Sequence, residues 1–349
     1  MSEFVTLDEI RAAKERIAGV AVRTPLYRVE RARLRMGKFP EPEFDLYIKA
    51  ESEQPIGSFK LRGAYNMVAQ LSAEALRRGV ITYSSGNHAQ GVAYAARALG
   101  AKAVIVMPEN APAVKIEATR ALGAEIVLVG PASSERMAKA LELAKAHGYT
   151  VVPPYDDPAI IAGQGTCGLE ILEQLGEISG GVVVLSPVSG GGLLSGIATA
   201  IKLGAPGAAV QVWGAEPELA ADAKESFDTK TLVEWTAAQT TRTMSDGLRT
   251  QSLGRLNFEH ILRYVDGIVT VSEEEIVAAM RVMLAATGLV AEPSGAVTLA
   301  AALYHHAELP RCERLVAVLS GGNIEPGLRA ELEAGAAAAE ASKGGQVGV

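Results

Sequence analysis

The sequence predicts an α/β protein made of two doubly wound lobes, each with three layers. From residue 60 onward, apolar strands alternate with helices of about 10–15 residues, which is the pattern of βαβ units around a buried parallel sheet. A second series of the same kind begins at residue 159. Gly100, Gly123 and Gly148 fall where a helix should end before the next strand.

The individual elements follow from the hydrophobic pattern. An amphipathic helix is predicted over 7–18 and a short strand over 46–49. The first series is predicted to contain helices over 60–71, 87–99, 112–122 and 133–146 and strands over 80–83, 103–107, 125–129 and 150–152. The second is predicted to contain helices over 159–175, 193–203, 229–238, 273–286 and 293–307 and strands over 182–185, 210–213, 267–270 and 315–319. The Ala/Gly/Lys-rich tail over 335–349 is predicted to be frayed.

The two series define two predicted domains that pack closely together. A chain of 349 residues is long enough for two domains and a substantial core. We predict a large cofactor-binding domain formed by residues 1–52 and 153–349. Residues 53–152 are predicted to form a small substrate-binding domain, so the chain crosses between the domains near residues 53 and 153.

Composition and charge exclude several classes of protein. The net charge is −7 and no run of Lys or Arg is long enough to follow a phosphate backbone, so we expect no nucleic acid partner. No apolar run reaches the length of a membrane span, and the mixed charges near the N-terminus are not those of a signal peptide. Only two cysteines are present, without metal-binding spacing, which suits a reducing compartment. We therefore expect a cytoplasmic protein that binds no membrane.

The lysine at position 60 follows a Gly-Ser-Phe turn and opens a predicted helix. A helix N-terminus carries free N–H groups and a positive dipole end, which disfavours a second positive charge. Half-buried behind Phe59, Lys60 should shift toward the neutral amine, which can attack an aldehyde and form a Schiff base. An ordinary surface lysine in the first turn of a helix is the alternative interpretation.

A glycine-rich turn, Ser189 to Leu193, joins a predicted strand to a predicted helix. Consecutive glycines let several N–H groups converge at the helix N-terminus, which favours a bound phosphate. The turn is not a Walker motif, because no Gly-Lys-Ser/Thr follows, and its GxGxxxG spacing is a poor match to a dinucleotide fingerprint. A tight turn without a ligand remains the alternative.

Two further loops lie at corresponding positions. Residues 84–91 (Ser-Ser-Gly-Asn-His-Ala-Gln-Gly) join a strand to a helix and suit a second anion, such as a substrate carboxylate. An N-cap serine with ordinary turn residues is the alternative there, and His88 alone is more typical of a structural hydrogen-bonding residue than of a base. Residues 319–323 (Leu-Ser-Gly-Gly-Asn) end the last apolar strand. Because ligands of open α/β sheets bind beyond the carboxyl ends of the strands, we expect these loops and Lys60 to converge.

Together these motifs resemble the serine/threonine dehydratase and serine racemase family of fold-type II pyridoxal 5'-phosphate (PLP) enzymes. The resemblance covers nearly the whole chain and implies a fold like that of the tryptophan synthase β-subunit. The histidine at position 88 and the Ser-Gly-Gly-Gly turn differ from the loops of sulfhydrylases and synthases of the same fold. The motifs are Gly57–Ala64, Ser84–Gly91, Ala162–Thr166, Ser189–Leu193, Glu292–Ala296 and Ser320–Asn323.

The resemblance implies a set of cofactor-binding residues. Lys60 would carry PLP as a Schiff base, Phe59 would pack against the pyridine ring, and Asn87 would hydrogen-bond the ring hydroxyl. Ser320 would face the pyridine nitrogen. The phosphate would be bound by Ser189, Gly190, Gly191, Gly192 and Leu193, while Gly247 and Glu292 would complete the pocket.

The same resemblance implies the substrate site and the reaction. Ser84, Ser85, Asn87 and His88 would surround an amino-acid substrate, with Ser85 opposite Lys60 as a second catalytic residue. Lys60 would remove the α-proton of L-threonine or L-serine, and loss of the β-hydroxyl would lead to a 2-oxo acid and ammonia. Racemisation of serine or a related amino acid, and dehydration of 3-hydroxyaspartate or phenylserine, remain open alternatives. So does a non-catalytic ligand-binding protein on the same fold; a homodimer is the family expectation.

An acidic turn after the strand over 210–213 suits a hard cation. Glu216 and Asp222, with an intervening backbone carbonyl, offer the oxygen ligands that Mg²⁺ or Ca²⁺ prefers. In the racemase-like members of the family, metal ligands fall at the positions of Glu216, Ala220 and Asp222. A solvated acidic turn is the alternative.

Overall fold

The computed structural model describes residues 4–34, 39, 42–111, 113–130 and 133–344, and ten strands of this part form two sheets. The large sheet has six strands in the order β1-β2-β10-β7-β8-β9, and the small sheet has four in the order β5-β4-β3-β6. The strands are β1 (Leu26–Arg28), β2 (Asp45–Ala50), β3 (Val80–Thr82), β4 (Ala103–Pro108), β5 (Glu125–Val129), β6 (Thr150–Val151), β7 (Val182–Pro187), β8 (Val210–Pro217), β9 (Gly267–Val271) and β10 (Arg314–Leu319).

Helices cover both sheets. Besides the α-helices, the described residues form three short 3-10 turns, at Glu51–Glu53, Glu218–Ala220 and Asp246–Leu248. The described helices are α1 (Leu7–Ile17), α2 (Arg31–Leu34), α3 (Lys60–Val68), α4 (Ala73–Arg78), α5 (Asn87–Ala98), α6 (Ala113–Ala121), α7 (Ser133–His147), α8 (Pro158–Leu175), α9 (Gly192–Gly204), α10 (Asp222–Thr229), α11 (Ala237–Thr240), α12 (Arg255–Tyr264), α13 (Glu273–Thr287), α14 (Pro293–Tyr304) and α15 (Pro326–Gly344). None of the helices in this part of the chain is long and apolar enough to cross a bilayer.

The large sheet has an apolar core on each face. Its strands are parallel except β1, which pairs antiparallel with β2 at the edge. Val183 and Leu185 of β7 belong to the core that includes residues of α13 and α14, whereas Val182 and Val184 belong to the core that includes residues of α8 and α9. Strands buried on both faces read as continuous apolar runs, which is why the sequence reveals them.

The small sheet is parallel throughout and is likewise covered on both faces. All six residues of β4 are buried. Ile105 and Met107 join the core that includes residues of α5, and Val104 and Val106 join the core that includes Ala140 of α7. Both lobes therefore have three layers, as the sequence predicts.

Helix α8 packs between the helix that begins with Lys60 and the helix that follows the glycine-rich turn. A methyl group on Gly163 of α8 would lie 2.6 Å from the Cα atom of Gly63 in α3. A methyl group on Gly196 of α9 would lie 2.5 Å from the backbone nitrogen of Gly165 in α8. Both crossings depend on the missing side chains, so α8 sets the spacing between α3 and α9.

Most predicted elements are confirmed, but the helix predicted over 229–238 is wrong. The structure instead has α10 ending at Thr229 and the four-residue α11 from Ala237 to Thr240. Lys230 adopts a left-handed conformation with φ of 56°, which ends α10. The frayed tail is also wrong as far as Gly344, because α15 continues to that residue, and 345–349 lie outside the described residues.

Candidate active site

Lys60 is the first residue of α3 and lies at the meeting point of several loops. Its side chain is half-buried, and Nζ donates a 2.7 Å hydrogen bond to the carbonyl oxygen of Pro154. The ammonium lies 5.2 Å from the centre of the Phe59 ring. Burial lowers the pKa of Lys60 to about 8. About a tenth of this side chain is therefore a neutral, nucleophilic amine at pH 7, far more than for an ordinary lysine.

The turn before Lys60 is joined to the loop that follows β10. The backbone nitrogen of Phe59 donates to the carbonyl oxygen of Ser320 at 3.0 Å, and Ser58 forms an antiparallel bridge with Gly321. Ser320 is 4% exposed, so it lies within the protein rather than on its surface. The structure therefore brings the Lys60 and Ser320 motifs together, which the sequence predicted only from strand ends.

The glycine-rich turn has the geometry of an anion site. Helix α9 begins at Gly192, so the N–H groups of its first turn lack helical acceptors. Ser189 has a φ of 136°, a strained conformation for a residue with a side chain, and Gly191 has a φ of 94°. Strained backbone of this kind is characteristic of functional sites. Leu193 is buried in the first turn of α9, and the phosphate role of this turn stays a prediction.

The loop from Ser84 to His88 joins β3 to α5. Ser84, Ser85 and Asn87 are half-buried, whereas His88 is buried and its Nε2 atom lies 3.0 Å from the carbonyl oxygen of Val152. Burial, followed by the charge of Lys60, lowers the pKa of His88 to about 3. His88 is thus neutral and held by the backbone, which agrees with a structural histidine rather than a base.

A chain of polar side chains connects this loop to the large lobe. Asn87 donates to Glu292 at 2.7 Å, and Asn323 donates to Asn87 at 2.7 Å. Burial, followed by the charge of Asp246, raises the pKa of Glu292 to about 8. Near neutral pH the Glu292 carboxyl is thus largely protonated. Gly247 lies nearby on an exposed turn and donates from its backbone nitrogen to Ser294 Oγ at 2.9 Å.

Sequence reasoning missed a buried ionic cluster two residues beyond Lys60. Arg62 is fully buried and donates to both carboxylate oxygens of Glu51, at 2.7 and 2.8 Å. It also donates to both carboxylate oxygens of Glu170, which in turn accepts from the buried Lys49. An arginine inside the Lys60 motif was visible in the sequence, but its partners lie on other elements.

Glu216 and Asp222 are brought together at the carboxyl end of β8. Both carboxylates are buried, and the Oδ2 atom of Asp222 has no hydrogen-bond partner. Burial, followed by the charge of Asp222, raises the pKa of Glu216 well above its ordinary value, and burial raises the pKa of Asp222 to about 7. Ala220 is buried between them in sequence, at the end of a short 3-10 turn.

The oxygen atoms that this pair offers to a cation are those of the carboxylates of Glu216 and Asp222. Across the described residues, no group of three or more His, Cys, Asp or Glu side chains is arranged to hold a metal. A buried carboxylate oxygen without a partner is costly, and a hard cation would supply one. The unpartnered Oδ2 atom of Asp222 therefore fits a hard cation as one ligand.

The residues around Lys60 fit PLP. The cofactor needs a neutral lysine amine for its aldehyde and an anion site for its phosphate. Lys60, with its lowered pKa, meets the first requirement. The strained Ser189 and the free N-terminus of α9 meet the second.

Comparisons with known proteins agree with this geometry. A family model described as pyridoxal-phosphate-dependent enzyme matches residues 17–321. The chain is 38% identical to an L-threo-3-hydroxyaspartate ammonia-lyase of Saccharomyces cerevisiae and 37% identical to a serine racemase of Schizosaccharomyces pombe, in each case over 92% of this chain and 94% of the relative. A crystal structure of a T.th. threonine deaminase matches with a TM-score of 0.83 and 45% identity, covering 92% of this chain and 99% of the other.

Proposed function

The chain belongs to the family of pyridoxal-phosphate-dependent enzymes, and from this premise we propose that it is an ammonia-lyase acting on L-threonine or L-serine. The products would be a 2-oxo acid and ammonia. The single observation that carries the proposal is the half-buried amine of Lys60, whose pKa burial lowers to about 8 and whose turn is hydrogen-bonded to the Ser320 loop. The relatives named for threonine, serine and hydroxyaspartate chemistry support the same reaction class.

The chain's own residues divide the work of the reaction. PLP, when bound, supplies the electron sink that makes the substrate α-proton acidic. The neutral Nζ of Lys60 would accept that proton. The glycine-rich turn and the N-terminus of α9 would hold the phosphate, and Phe59, whose ring centre lies 5.2 Å from Lys60 Nζ, would pack against the cofactor ring. These contacts keep the reacting carbon within reach of a single base.

The substrate carboxylate is assigned to the loop at the start of α5. Ser84, Asn87 and the N–H groups of this helix N-terminus offer neutral donors to an anion. His88 contributes by fixing the loop to Val152 rather than by titrating. A carboxylate held here and a phosphate held at α9 place the substrate between two helix N-termini.

Ser320 favours elimination over other outcomes of the same chemistry. If Ser320 faces the pyridine nitrogen, its neutral hydroxyl would not stabilise a positive charge there, as a carboxylate would. Negative charge at the α-carbon would then be less delocalised, which would favour prompt loss of the β-hydroxyl. This argument supports a lyase that acts on β-hydroxy amino acids.

Racemisation is the second candidate, and Ser85 favours it. This serine lies in the loop at the start of α5, on the lobe assigned to the substrate, and its hydroxyl is half-buried. We assign it the face opposite Lys60, where it would exchange a proton with the α-carbon. The relative named as a serine racemase supports keeping this candidate.

We also propose a cation site, a domain division and a dimer. Glu216, Ala220 and Asp222 would hold Mg²⁺ or Ca²⁺, because the unpartnered Oδ2 of Asp222 lies in a buried acidic pair. Residues 53–152, which contain the small sheet, would form the substrate-binding domain, with 1–52 and 153–349 forming the other. A homodimer is proposed from family membership.

A panel of hydroxy amino acids tests the function. The PLP-loaded protein is assayed with both enantiomers of serine, threonine, 3-hydroxyaspartate and phenylserine, scoring 2-oxo acid, ammonia and optical rotation. We expect L-threonine or L-serine to release equal amounts of 2-oxo acid and ammonia. The Lys60→Ala variant should lose this activity by roughly 10²–10⁴-fold or more, as expected when a base is removed. Equal activity of that variant, or no product from any member, would overturn the proposal.

A further inference from the structure

Three consecutive residues between β6 and α8 contact three different parts of the site, and we call Pro154, Tyr155 and Asp156 the strap. Pro154 accepts the hydrogen bond from Lys60 Nζ. The ring of Tyr155 lies against Gly190, where a methyl group would overlap it. Asp156 contacts neither the lysine nor the glycine-rich turn but reaches the N-terminus of α12.

The carboxylate of Asp156 caps α12 from about a hundred residues away in the chain. Its oxygens accept from the backbone nitrogens of Arg255 at 3.2 Å, Leu256 at 2.9 Å and Asn257 at 3.3 Å, and from Asn257 Nδ2 at 3.3 Å. The residue at the N-cap position of α12 itself, Gly254, has no side chain that could do this. The first-turn donors of α12 are thus satisfied by a side chain from the strap.

Helix α12 in turn supports the glycine-rich turn. The backbone nitrogen of Gly254 donates to the carbonyl oxygen of Gly190 at 3.0 Å. A methyl group on Gly191 would lie 2.9 Å from Cβ of Asn257, so the turn packs closely against the first turn of α12. Ser195 of α9 donates to the carbonyl oxygen of Asn257 at 3.2 Å. The start of α12 therefore forms the support of the loop assigned to the phosphate.

We propose that Asp156 is a positioning residue for the cofactor phosphate. By capping α12, it fixes the start of that helix under Gly190 and Gly191. Because Asp156 adjoins Tyr155 and Pro154, the same contact holds the strap between Lys60 and the glycine-rich turn. Loss of the cap would let the turn relax from its strained shape and would weaken phosphate binding without removing the amine that binds the aldehyde. The inference rests on the proposed phosphate role of the glycine-rich turn.

Binding of PLP and of pyridoxal, which lacks the phosphate, tests this role without measuring turnover. Apoprotein is titrated with each compound and binding is followed by absorbance. We expect Asp156→Ala to weaken PLP binding about 5–30-fold, the effect of a lost N-cap of typical to upper strength. Binding of pyridoxal should change less than about twofold, so the ratio of the two affinities falls.

Two further substitutions make the test specific to the cap. Asp156→Asn should keep the wild-type ratio, because asparagine caps a helix as well as aspartate does. Ser272→Ala removes the N-cap of α13, which lies away from the turn. This variant should also keep the wild-type ratio of the two affinities. If Asp156→Ala does not fold, Gly254→Ala replaces it, since its methyl group would displace the Asp156 carboxylate, and the same fall in ratio is expected.

Three results would overturn the inference. The first is equal weakening of PLP and pyridoxal, and the second is a loss in the Asp156→Asn variant as large as that in the Asp156→Ala variant. The third is a fall in ratio for Ser272→Ala as large as that for Asp156→Ala. If the wild-type protein binds PLP and pyridoxal equally, the glycine-rich turn does not bind the phosphate, and the proposed role of that turn fails instead.

Discussion

Arg62 and Glu51 form a fully buried ion pair joined by two hydrogen bonds of 2.7 and 2.8 Å. Arg62 belongs to the helix that Lys60 begins, whereas Glu51 directly follows β2 of the large sheet. The same guanidinium donates to Glu170 of α8. Since a buried charge is costly without its partners, this cluster holds the lysine-bearing helix in one position relative to the large sheet.

The first prediction concerns stability in acid. Burial opposes ionisation of Glu51, but the charge and hydrogen bonds of Arg62, together with Lys49 and Thr24, outweigh it and lower the pKa of Glu51 from 4.5 to about 2. Because the folded-state pKa is the lower one, this stabilisation is complete above pH 4.5 and is lost as the pH falls toward 2. The shift corresponds to about 3 kcal/mol.

Urea unfolding between pH 2 and pH 7 measures this contribution. We expect Glu51→Gln to be about 3 kcal/mol or more less stable than wild type at pH 7, with the difference shrinking toward pH 2. Glu53→Gln, at an exposed position of the same turn, is the matched control and should behave as wild type. A difference between wild type and Glu51→Gln that does not vary with pH would contradict the assignment.

The second prediction concerns the pH dependence of cofactor attachment. Only the neutral amine of Lys60 attacks the aldehyde, and burial lowers the pKa of this amine to about 8. The rate at which apoprotein combines with PLP should therefore rise with pH, with a midpoint near 8, and level off above it. Stopped-flow absorbance measures the rate.

A lysine side chain in a short unstructured peptide is the control for this measurement, and its midpoint should lie near the ordinary lysine value of about 10.4. A protein midpoint that coincides with that of the peptide would show that the folded site does not activate Lys60. Borohydride reduction of the loaded protein should then be followed by peptide mapping. The reduced cofactor is expected on Lys60, and its recovery at any other lysine would contradict the assigned role.

The third prediction concerns the acidic pair. A cation between Glu216 and Asp222 binds only the folded protein, so Mg²⁺ or Ca²⁺ should raise its stability by about 2.7 kcal/mol at a hundredfold excess over the dissociation constant. Asp222→Asn should remove this response. Asp228→Asn, on the exposed face of the same helix, should keep it. Thermal unfolding with added cation or chelator measures the effect, and an unresponsive wild-type protein argues against the site.

The predictable part of the fold is the part specified by local pattern. The strands that the sequence revealed, such as β4 and β7, are continuous apolar runs buried on both faces. Strand β1 escaped notice because it is a three-residue edge strand with an exposed side chain at Tyr27. Helix α12 was missed although its sequence is amphipathic, and because its cap, Asp156, comes from a distant part of the chain, the local sequence does not mark where the helix begins.

The features of the candidate site also fall into those that the local sequence predicts and those that it does not. Loops with several glycines and serines at strand ends were predictable, since parallel strands end at one edge of a sheet. The contacts that support these loops were not, because they join residues far apart in sequence, as between Tyr155 and Gly190. The pairing of Arg62 with Glu51 was not predictable either, because the sequence shows only that a charged residue lies at each position.

The fourth prediction separates the lyase from the racemase. If Ser85 exchanges a proton with the α-carbon on the face opposite Lys60, it is needed to process D-serine but not to remove the α-proton of L-serine. Ser85→Ala should then lower ammonia release from D-serine, and D-serine formation from L-serine, by roughly 10²–10⁴-fold. Ammonia release from L-serine should stay within about tenfold of wild type, because Lys60 is the base on that face. Ser72→Ala, which removes the cap of α4 outside the site, controls for small losses of stability and should leave both rates unchanged. Equal losses of activity on both enantiomers would mean that Ser85 binds the substrate rather than exchanging its proton. If the wild-type protein does not act on D-serine, the racemase candidate is removed and the lyase candidate is unaffected.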